Sequence, residues 1–115
     1  MVNNATPSAA VVERLFEAVK NRRGGDPKTS NSARLFARGR GKICQKLGEE
    51  AVETIVAALE ESPAEVATES ADLLYHLLIL WVEVGVEPAG VWAELERREG
   101  VSGLDEKKKR SKKNP

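Results

Sequence analysis

The fold is decided by residues 62–85, which read SPAEVATESADLLYHLLILWVEVG. Ser62, followed three residues later by Glu65, forms a capping box, and the proline between them suits the first turn of a helix. No further proline occurs before Gly85, and glycine is the residue that most often ends a helix. The stretch therefore predicts a long helix over residues 63–84.

This predicted helix is apolar on almost every side between residues 71 and 84. A helix of this kind has to be covered on more than one face, and either the rest of the chain or a second subunit could cover it. Its longest run without a charge, residues 73–82, is about half the length that a bilayer-spanning helix needs. The sequence therefore predicts a buried core helix and no membrane segment.

Further helices are indicated on both sides, because apolar residues recur at helical spacing between glycine, proline and serine boundaries. The first predicted helix starts near Ser8 and stops at Gly24. A short one covers 32–38 before interruptions at Gly39 and Gly41. Two more run from about 42 to 61 and from 88 to about 99. On the helix at 42–61 the predicted apolar stripe is Ile43, Leu47, Ala51, Ile55 and Ala58. Short connections are typical of antiparallel neighbours, so we expect an all-α bundle of four main helices.

The composition is that of a globular chain, with 115 residues of which 41% are apolar and 31% charged. We expect one all-α domain over residues 1–100 and a basic, disordered tail over residues 101–115. The single cysteine, Cys44, excludes an intramolecular disulfide and fits a reducing cytoplasm, and the first ten residues do not resemble a secretory signal. We expect neither a nucleic acid nor a membrane as partner.

The net charge of zero conceals a strong partition along the chain. Residues 1–46 carry ten basic and three acidic side chains, residues 47–106 carry two basic and fifteen acidic side chains, and residues 107–115 carry six basic ones. Carboxylates beside a basic segment suit a metal ion bound together with a polyanion. Solvated helix faces with a basic tail explain the same partition, and charge alone does not separate the two.

Two pairs of acids share one spacing on neighbouring predicted helices. Glu50 and Glu53 lie about 60° apart on one helix, and Glu69 and Asp72 repeat that relation on the next. In an antiparallel hairpin Glu53 and Asp72 stand at nearly the same level, with the other two acids on either side, separated by about 9 Å. Oxygen ligands of this kind favour a hard cation, Mg²⁺ first and Mn²⁺ second. Surface acids remain the alternative.

The residues around these acids resemble a known enzyme family. Residues 46–53 (KLGEEAVE) and 69–78 (ESADLLYHLL) are similar to the phosphoribosyl-ATP pyrophosphohydrolases, members of the MazG-like all-α superfamily. The signature of that superfamily is EExxE, a spacer and ExxD, and all of its acids are present here with a spacer of fifteen residues. Residues 98–107 also look like the C-terminus of these enzymes, so the resemblance covers most of the chain.

The resemblance implies a cytoplasmic, dimeric hydrolase of histidine biosynthesis that carries out the Mg²⁺-dependent conversion of 1-(5-phosphoribosyl)-ATP to 1-(5-phosphoribosyl)-AMP and pyrophosphate. The metal ligands implied by the motif are Glu50, Glu53, Glu69 and Asp72. Glu49 would orient or deprotonate the attacking water. The candidates for binding the nucleotide are Lys46, Lys42, Arg34, Ser30, Ser32 and His76.

Several alternatives remain at this point. The same acids would serve a house-cleaning nucleoside-triphosphate pyrophosphatase of the same superfamily, and a non-catalytic helical dimerisation module would explain the apolar helix without any chemistry. At single positions, Glu49 could be a surface acid, His76 a hydrogen-bonded core residue, and the two serines simple helix caps. Tyr75 is expected to serve in packing or in a dimer contact.

Overall fold

The computed structural model of the protein describes residues 6–101 and Lys107. Within this part the chain forms five α-helices and no strand: α1 (Ala10–Asn21), α2 (Asn31–Arg38), α3 (Arg40–Glu60), α4 (Pro63–Val84) and α5 (Pro88–Arg98). The all-α prediction is confirmed. Among the same residues no single helix is long and apolar enough to cross a membrane.

The boundaries of α4 follow the signals in the sequence. The Ser62 hydroxyl accepts a hydrogen bond of 3.3 Å from the main-chain N–H of Glu65, which satisfies one of the free donors in the first turn. Gly85 ends the helix with a φ of +84°, a left-handed conformation that favours glycine. The predicted bounds 63–84 are those observed.

The break between α2 and α3 is shorter than the sequence predicts. Gly39 alone separates the two helices, with a φ of +95° that a side chain would disfavour. Gly41, predicted as a second interruption, lies inside the first turn of α3, because a helix can continue through a glycine at a modest cost.

Helices α3 and α4 form a hairpin, because only two residues separate them and they pack against each other along their length. Helix α1 packs against α4, and the short α2 contacts both helices of the hairpin. The buried side chains that these contacts produce include Phe16, Val19, Ala33, Leu35, Ile43, Ala57, Leu78 and Ile79. The hairpin is therefore the frame to which every candidate acid is attached.

The predicted apolar stripe of α3 is not its buried face along the whole helix. Ile43 is buried, but Ile55 is 57% exposed, and so are its apolar neighbours Val52 (58%) and Leu59 (80%). The buried residues of the later part of α3 are Glu50 and Ala57, so the face that carries Val52, Ile55 and Leu59 is left on the outside. In α4, by contrast, Leu78 and Ile79 are buried.

An arginine fixes the segment that follows α1. Arg23 donates through Nη1 to the carbonyl oxygen of Val82 at 2.9 Å, pairs with Glu83 at 3.3 Å, and stacks its guanidinium over Phe36 at 5.4 Å from the ring centre. Arg40 lies 3.4 Å from the other oxygen of Glu83. These contacts attach the loop before α2 to the last turn of α4.

The chain divides into two compact units, Met1–Gly85 and Val86–Pro115, each of which makes its spatial contacts mostly within itself. The first contains α1 to α4 and all of the candidate site residues. In the second, α5 begins with Pro88 at its first turn, and Glu94 pairs with Arg97 at 2.6 Å and Arg98 at 2.8 Å. The domain predicted over 1–100 stays a prediction, and the predicted tail, 101–115, lies outside the described residues except for Val101 and Lys107.

Candidate metal centre

Three of the four predicted ligands are brought together between the two helices of the hairpin. Glu50 from α3 and Glu69 and Asp72 from α4 each place a carboxylate oxygen within 4.8 Å of the other two. Glu50 is buried, Glu69 is half-buried and Asp72 is exposed, so the group extends from the interior to the solvent. We call these three residues the acid cluster.

The main chain beneath the acid cluster is connected by a single hydroxyl. Thr54 Oγ1 lies 2.9 Å from the carbonyl oxygen of Glu50 and 3.3 Å from the carbonyl oxygen of Glu69. Threonine commonly bonds to the carbonyl four residues earlier in its own helix, but here the hydroxyl also reaches the neighbouring helix. Thr54 therefore links the backbones of two members of the acid cluster.

The acid cluster is electrostatically strained when no cation is bound. Burial raises the pKa of the Glu50 carboxyl, and the adjacent Glu53 and Asp72 raise it further. His76 acts in the opposite direction and lowers this pKa. Partial burial, followed by the charges of Glu53 and Asp72, also raises the pKa of Glu69. Glu53 is exposed and outside the three-residue group, but its charge acts on both glutamates. The charges of Glu53 and Asp72 therefore act on both Glu50 and Glu69, which couples all four predicted acids.

The donor set of the acid cluster fits a divalent cation. Oxygens that bind one such ion at about 2.0–2.6 Å lie no more than about 4–5 Å apart, which is the spacing observed for this group. Carboxylates are the donors that hard cations prefer, and a cation would remove the mutual repulsion that raises the pKa of Glu50. The acid cluster could therefore hold a metal ion.

Glu49 lies on the exposed side of α3, next to the acid cluster in sequence. Its carboxylate accepts a hydrogen bond of 2.8 Å from Gln45 Nε2, and Lys46 Nζ lies 3.4 Å from its other oxygen. These two partners lower the pKa of Glu49 below its ordinary value. Lys46 also stands 4.0 Å from Glu50 and so bridges the exposed acid and the buried one.

The face of α3 around Glu49 borders an open hollow of about 620 Å³. Its lining residues follow one another at helical spacing: Gln45, Gly48, Glu49, Val52 and Glu53. Gly48 has open space where a side chain would stand, and this contributes to the hollow. Solvent and small molecules can therefore approach Glu49 and Glu53 from this side.

His76 is buried one turn after Asp72 on α4. Its Nδ1 lies 2.8 Å from the main-chain carbonyl oxygen of Asp72, and its ring meets the ring of Tyr75 edge to face at 5.2 Å. The hydrogen bond holds the imidazole on the side of the helix that carries Asp72. The charge of the His76 side chain lowers the pKa of Glu50. The structure thus places His76 at the acid cluster, anchored to the backbone.

The two candidate serines lie at the start of α2. Ser30 caps the helix by accepting a hydrogen bond of 3.1 Å from the N–H of Ala33. The fully buried Ser32 hydroxyl accepts one of 3.1 Å from the Tyr75 hydroxyl, and the two serine oxygens are 3.5 Å apart. Sequence reasoning assigned Tyr75 to packing or to a dimer contact and did not foresee this bond, because no local pattern connects residues 43 positions apart.

The remaining basic candidates have weaker ties to the acid cluster. Arg34 is exposed and its guanidinium is hydrogen-bonded to Asn31 at 2.8 Å, within its own helix. Lys42 lies one turn before Lys46, and its charge contributes to the lowered pKa of Glu49. Of the six predicted nucleotide-binding residues, Lys46 contacts the carboxylate of Glu50, and His76 is hydrogen-bonded to the main chain of Asp72.

Comparison with known proteins adds an independent line of evidence. A model of the phosphoribosyl-ATP pyrophosphohydrolase family matches residues 12–99, which include most of α1, all of α2 to α5 and every candidate site residue. The matched region is far more than half of the chain.

Individual relatives agree with the family match. The chain is 63% identical over 103 residues to a phosphoribosyl-ATP pyrophosphatase of Paramagnetospirillum magneticum, covering 90% of this chain and 94% of the relative. It is 58% identical to the protein of the same name from Rhodospirillum rubrum (92% and 91% covered) and 56% identical to that of Azospirillum brasilense (90% and 93% covered). The chain therefore belongs to the phosphoribosyl-ATP pyrophosphohydrolase family.

Proposed function

We propose that this protein hydrolyses 1-(5-phosphoribosyl)-ATP to 1-(5-phosphoribosyl)-AMP and pyrophosphate, the second step of histidine biosynthesis, in the cytoplasm. Water cleaves the anhydride bond between the α and β phosphorus atoms: its hydroxyl joins one phosphorus, the bridging oxygen leaves with the other, and the products are the phosphate monoester 1-(5-phosphoribosyl)-AMP, pyrophosphate and a proton. The observation that carries the proposal is the acid cluster, which gathers three carboxylates from two helices of a chain belonging to this family.

The acid cluster, together with Glu53, would hold Mg²⁺, with Mn²⁺ as a substitute. Glu50 and Asp72 supply oxygens from opposite helices, and the charge of Glu53 acts on Glu50 and Glu69 from beside them. When bound, such an ion neutralises phosphate charge and polarises the phosphoryl group, the main requirement of this reaction.

Glu49 is proposed to orient the attacking water. Its hydrogen bond from Gln45 and its contact with Lys46 hold the carboxylate in place, and both favour the charged form. A carboxylate with a lowered pKa accepts hydrogen bonds well but takes up a proton poorly, because a general base works best with a pKa near the working pH. Of the two roles considered for Glu49, orientation therefore fits its environment better than proton removal.

The polyphosphate chain would lie along the basic side chains near the acid cluster. Lys46 is the best placed of them, since it already stands 3.4 Å from Glu49 and 4.0 Å from Glu50, and Lys42 follows one turn back. We propose the following further contacts with the nucleotide: Arg34, Ser30, Ser32 and His76. Their donor groups suit phosphate and base oxygens or nitrogens.

We propose that the protein is a homodimer that pairs through α3. Val52, Ile55, Val56 and Leu59 are exposed and recur at intervals of three and four residues, which makes one apolar stripe along the helix. A chain rarely leaves such a stripe in water. The same stripe of a second copy would cover it around a two-fold axis, the commonest symmetry of soluble oligomers.

Pyrophosphate release from 1-(5-phosphoribosyl)-ATP, beside a panel of common and damaged nucleoside triphosphates, tests the proposed reaction. We expect release from phosphoribosyl-ATP with Mg²⁺ and none after chelation of the metal. Release from the triphosphates alone would replace the proposed substrate with those of a house-cleaning pyrophosphatase. No release from any of them, with no effect of Mg²⁺ on the melting temperature, would favour the non-catalytic helical module.

A further inference from the structure

Three hydroxyl groups form a chain that runs from α4 to the start of α2. Tyr75 donates to Ser32 Oγ at 3.1 Å, Ser32 Oγ stands 3.5 Å from Ser30 Oγ, and Ser30 Oγ accepts the N–H of Ala33 at 3.1 Å. Ser32, in the middle, has an exposed fraction of 0%. A buried hydroxyl needs partners for its oxygen and for its hydrogen, and this chain provides both.

The hydrogen bond from Tyr75 constrains the rest of the chain of hydroxyls. Because Tyr75 donates to Ser32 Oγ, the hydrogen of Ser32 is available to Ser30 Oγ, which lies 3.5 Å away, a separation at which either serine can be the donor. With Ser32 as the donor, Ser30 Oγ accepts from both Ser32 and the N–H of Ala33, which leaves the hydrogen of Ser30 unused among these groups. Ser30 is half-buried and can therefore offer that hydrogen to a bound group.

Tyr75 is also connected to the acid cluster. It follows Asp72 by three residues on α4, so the two side chains lie about 60° apart and about 4.5 Å along the helix. Its ring rests against His76, whose Nδ1 is bonded to the carbonyl oxygen of Asp72. The same helix turn therefore carries an acid of the candidate metal centre and the first hydroxyl of the chain.

We propose that Tyr75 is a positioning residue: through Ser32 it orients the Ser30 hydroxyl as a hydrogen-bond donor to a phosphate oxygen of the bound nucleotide. This inference rests on the proposed function, because it takes a polyphosphate as the ligand. A neutral hydroxyl donor suits an anionic phosphate oxygen. The capping of α2 alone needs only the oxygen of Ser30 and makes no use of Tyr75.

The test removes only the Tyr75 hydroxyl, in Tyr75→Phe, which keeps a ring against His76. Inorganic pyrophosphate with Mg²⁺ is the probe, measured by titration calorimetry, and the KM and kcat for phosphoribosyl-ATP are measured in parallel. We expect the dissociation constant of pyrophosphate and the KM to rise about five-fold, the loss of one neutral hydrogen bond, with little change in kcat. The Mg²⁺-induced rise in melting temperature should be unchanged.

Two further variants separate orientation from simple packing. Thr68→Val removes an exposed hydroxyl of α4 that bonds to its own helix, and it should leave pyrophosphate binding unchanged. Ser30→Gly removes the proposed donor, and glycine is well tolerated at a helix N-cap. In the Ser30→Gly background, Tyr75→Phe should have no further effect on pyrophosphate binding, because the two changes break the same path.

The outcomes distinguish this inference from the proposed function. A lower melting temperature of Tyr75→Phe with unchanged pyrophosphate affinity and KM would overturn the inference, as would full additivity with Ser30→Gly. Absence of pyrophosphate binding by the unsubstituted protein would overturn it too. Pyrophosphate binding that depends on Tyr75 and Ser30, without turnover of phosphoribosyl-ATP, would support the inference and contradict the proposed function.

Discussion

The hydroxyl of Thr54 lies 3.3 Å from the main-chain carbonyl oxygen of Glu69, across the gap between α3 and α4. The same Thr54 hydroxyl donates to the carbonyl oxygen of Glu50 at 2.9 Å, so one side chain contacts the backbones of two acids that converge from opposite helices. Small changes in the distance between these helices would change the distances within the acid cluster. Thr54 therefore affects the geometry of the acid cluster as well as the local geometry of α3.

Replacing Thr54 by valine, which has nearly the same shape, should weaken Mg²⁺ binding. We expect about a ten-fold loss of affinity, the order of effect seen when groups that orient metal ligands are removed. The measurement is the melting temperature as a function of Mg²⁺ concentration, because a ligand of the folded state raises it. Thr68→Val is the matched control, since the Thr68 hydroxyl is exposed and bonds to the carbonyl oxygen of Ala64 within its own helix. Equal Mg²⁺ affinity in both variants would exclude this role for Thr54.

The variant Glu50→Gln should stabilise the metal-free protein at neutral pH. Burial and the neighbouring acids raise the pKa of the Glu50 carboxyl, so its charged form opposes folding when no cation is present. We expect a rise of a few degrees in the melting temperature in the presence of a chelator, together with loss of the Mg²⁺-induced increase. A lower melting temperature in chelator would show that the Glu50 charge is favourable in the fold.

The pH dependence of the metal-free protein follows from the same carboxyls. A group with a raised pKa in the folded state holds its proton more tightly there than in the unfolded chain, so its stabilising contribution is complete below the unfolded pKa. That contribution is lost as the pH rises from about 4.5 through the raised pKa of Glu50 and Glu69. Melting curves in chelator should show this decline, and Glu50→Gln should reduce it. An equal decline in the variant would assign the effect to other groups.

The variant Leu59→Lys should convert the proposed dimer to a monomer without unfolding it. Leu59 is 80% exposed within the chain, so the lysine can reach water in the single subunit but would be buried in a paired α3 stripe. Light scattering after size exclusion measures the mass, and circular dichroism checks the helical content. The control Glu60→Gln changes the adjacent, exposed residue. A monomeric unsubstituted protein, or a Leu59→Lys variant that remains dimeric, would contradict pairing through this stripe.

Local signals predicted the hairpin that carries the site. Ser62, Pro63 and Gly85 act on their immediate neighbours, so the bounds of α4 follow from the sequence alone. The periodicity of the acids placed Glu50 and Asp72 on facing sides of two adjacent helices, and the structure brings them together. The family suggested by these residues is confirmed by the comparisons.

Features that depend on tertiary contacts were not predictable in the same way. Periodicity shows that α3 has an apolar stripe, but it does not show whether that stripe faces this chain, as Ile43 does, or the outside, as Ile55 does. The bond between Tyr75 and Ser32 joins positions 43 residues apart, and no spacing rule covers such a pair. The cross-helix contact of Thr54 was missed for the same reason, since its side chain looks like an ordinary threonine in a helix.

The central claim is that the acid cluster, together with Glu53, performs the metal-dependent hydrolysis. The most direct measurement is the rate of pyrophosphate release from phosphoribosyl-ATP with Mg²⁺, for the unsubstituted protein, Asp72→Asn and Glu53→Gln, with Glu60→Gln as the control on α3. We predict a loss of about 100-fold or more in kcat for the first two variants, with unchanged helical content, and full activity for the control. Turnover retained by both Asp72→Asn and Glu53→Gln would contradict the claim.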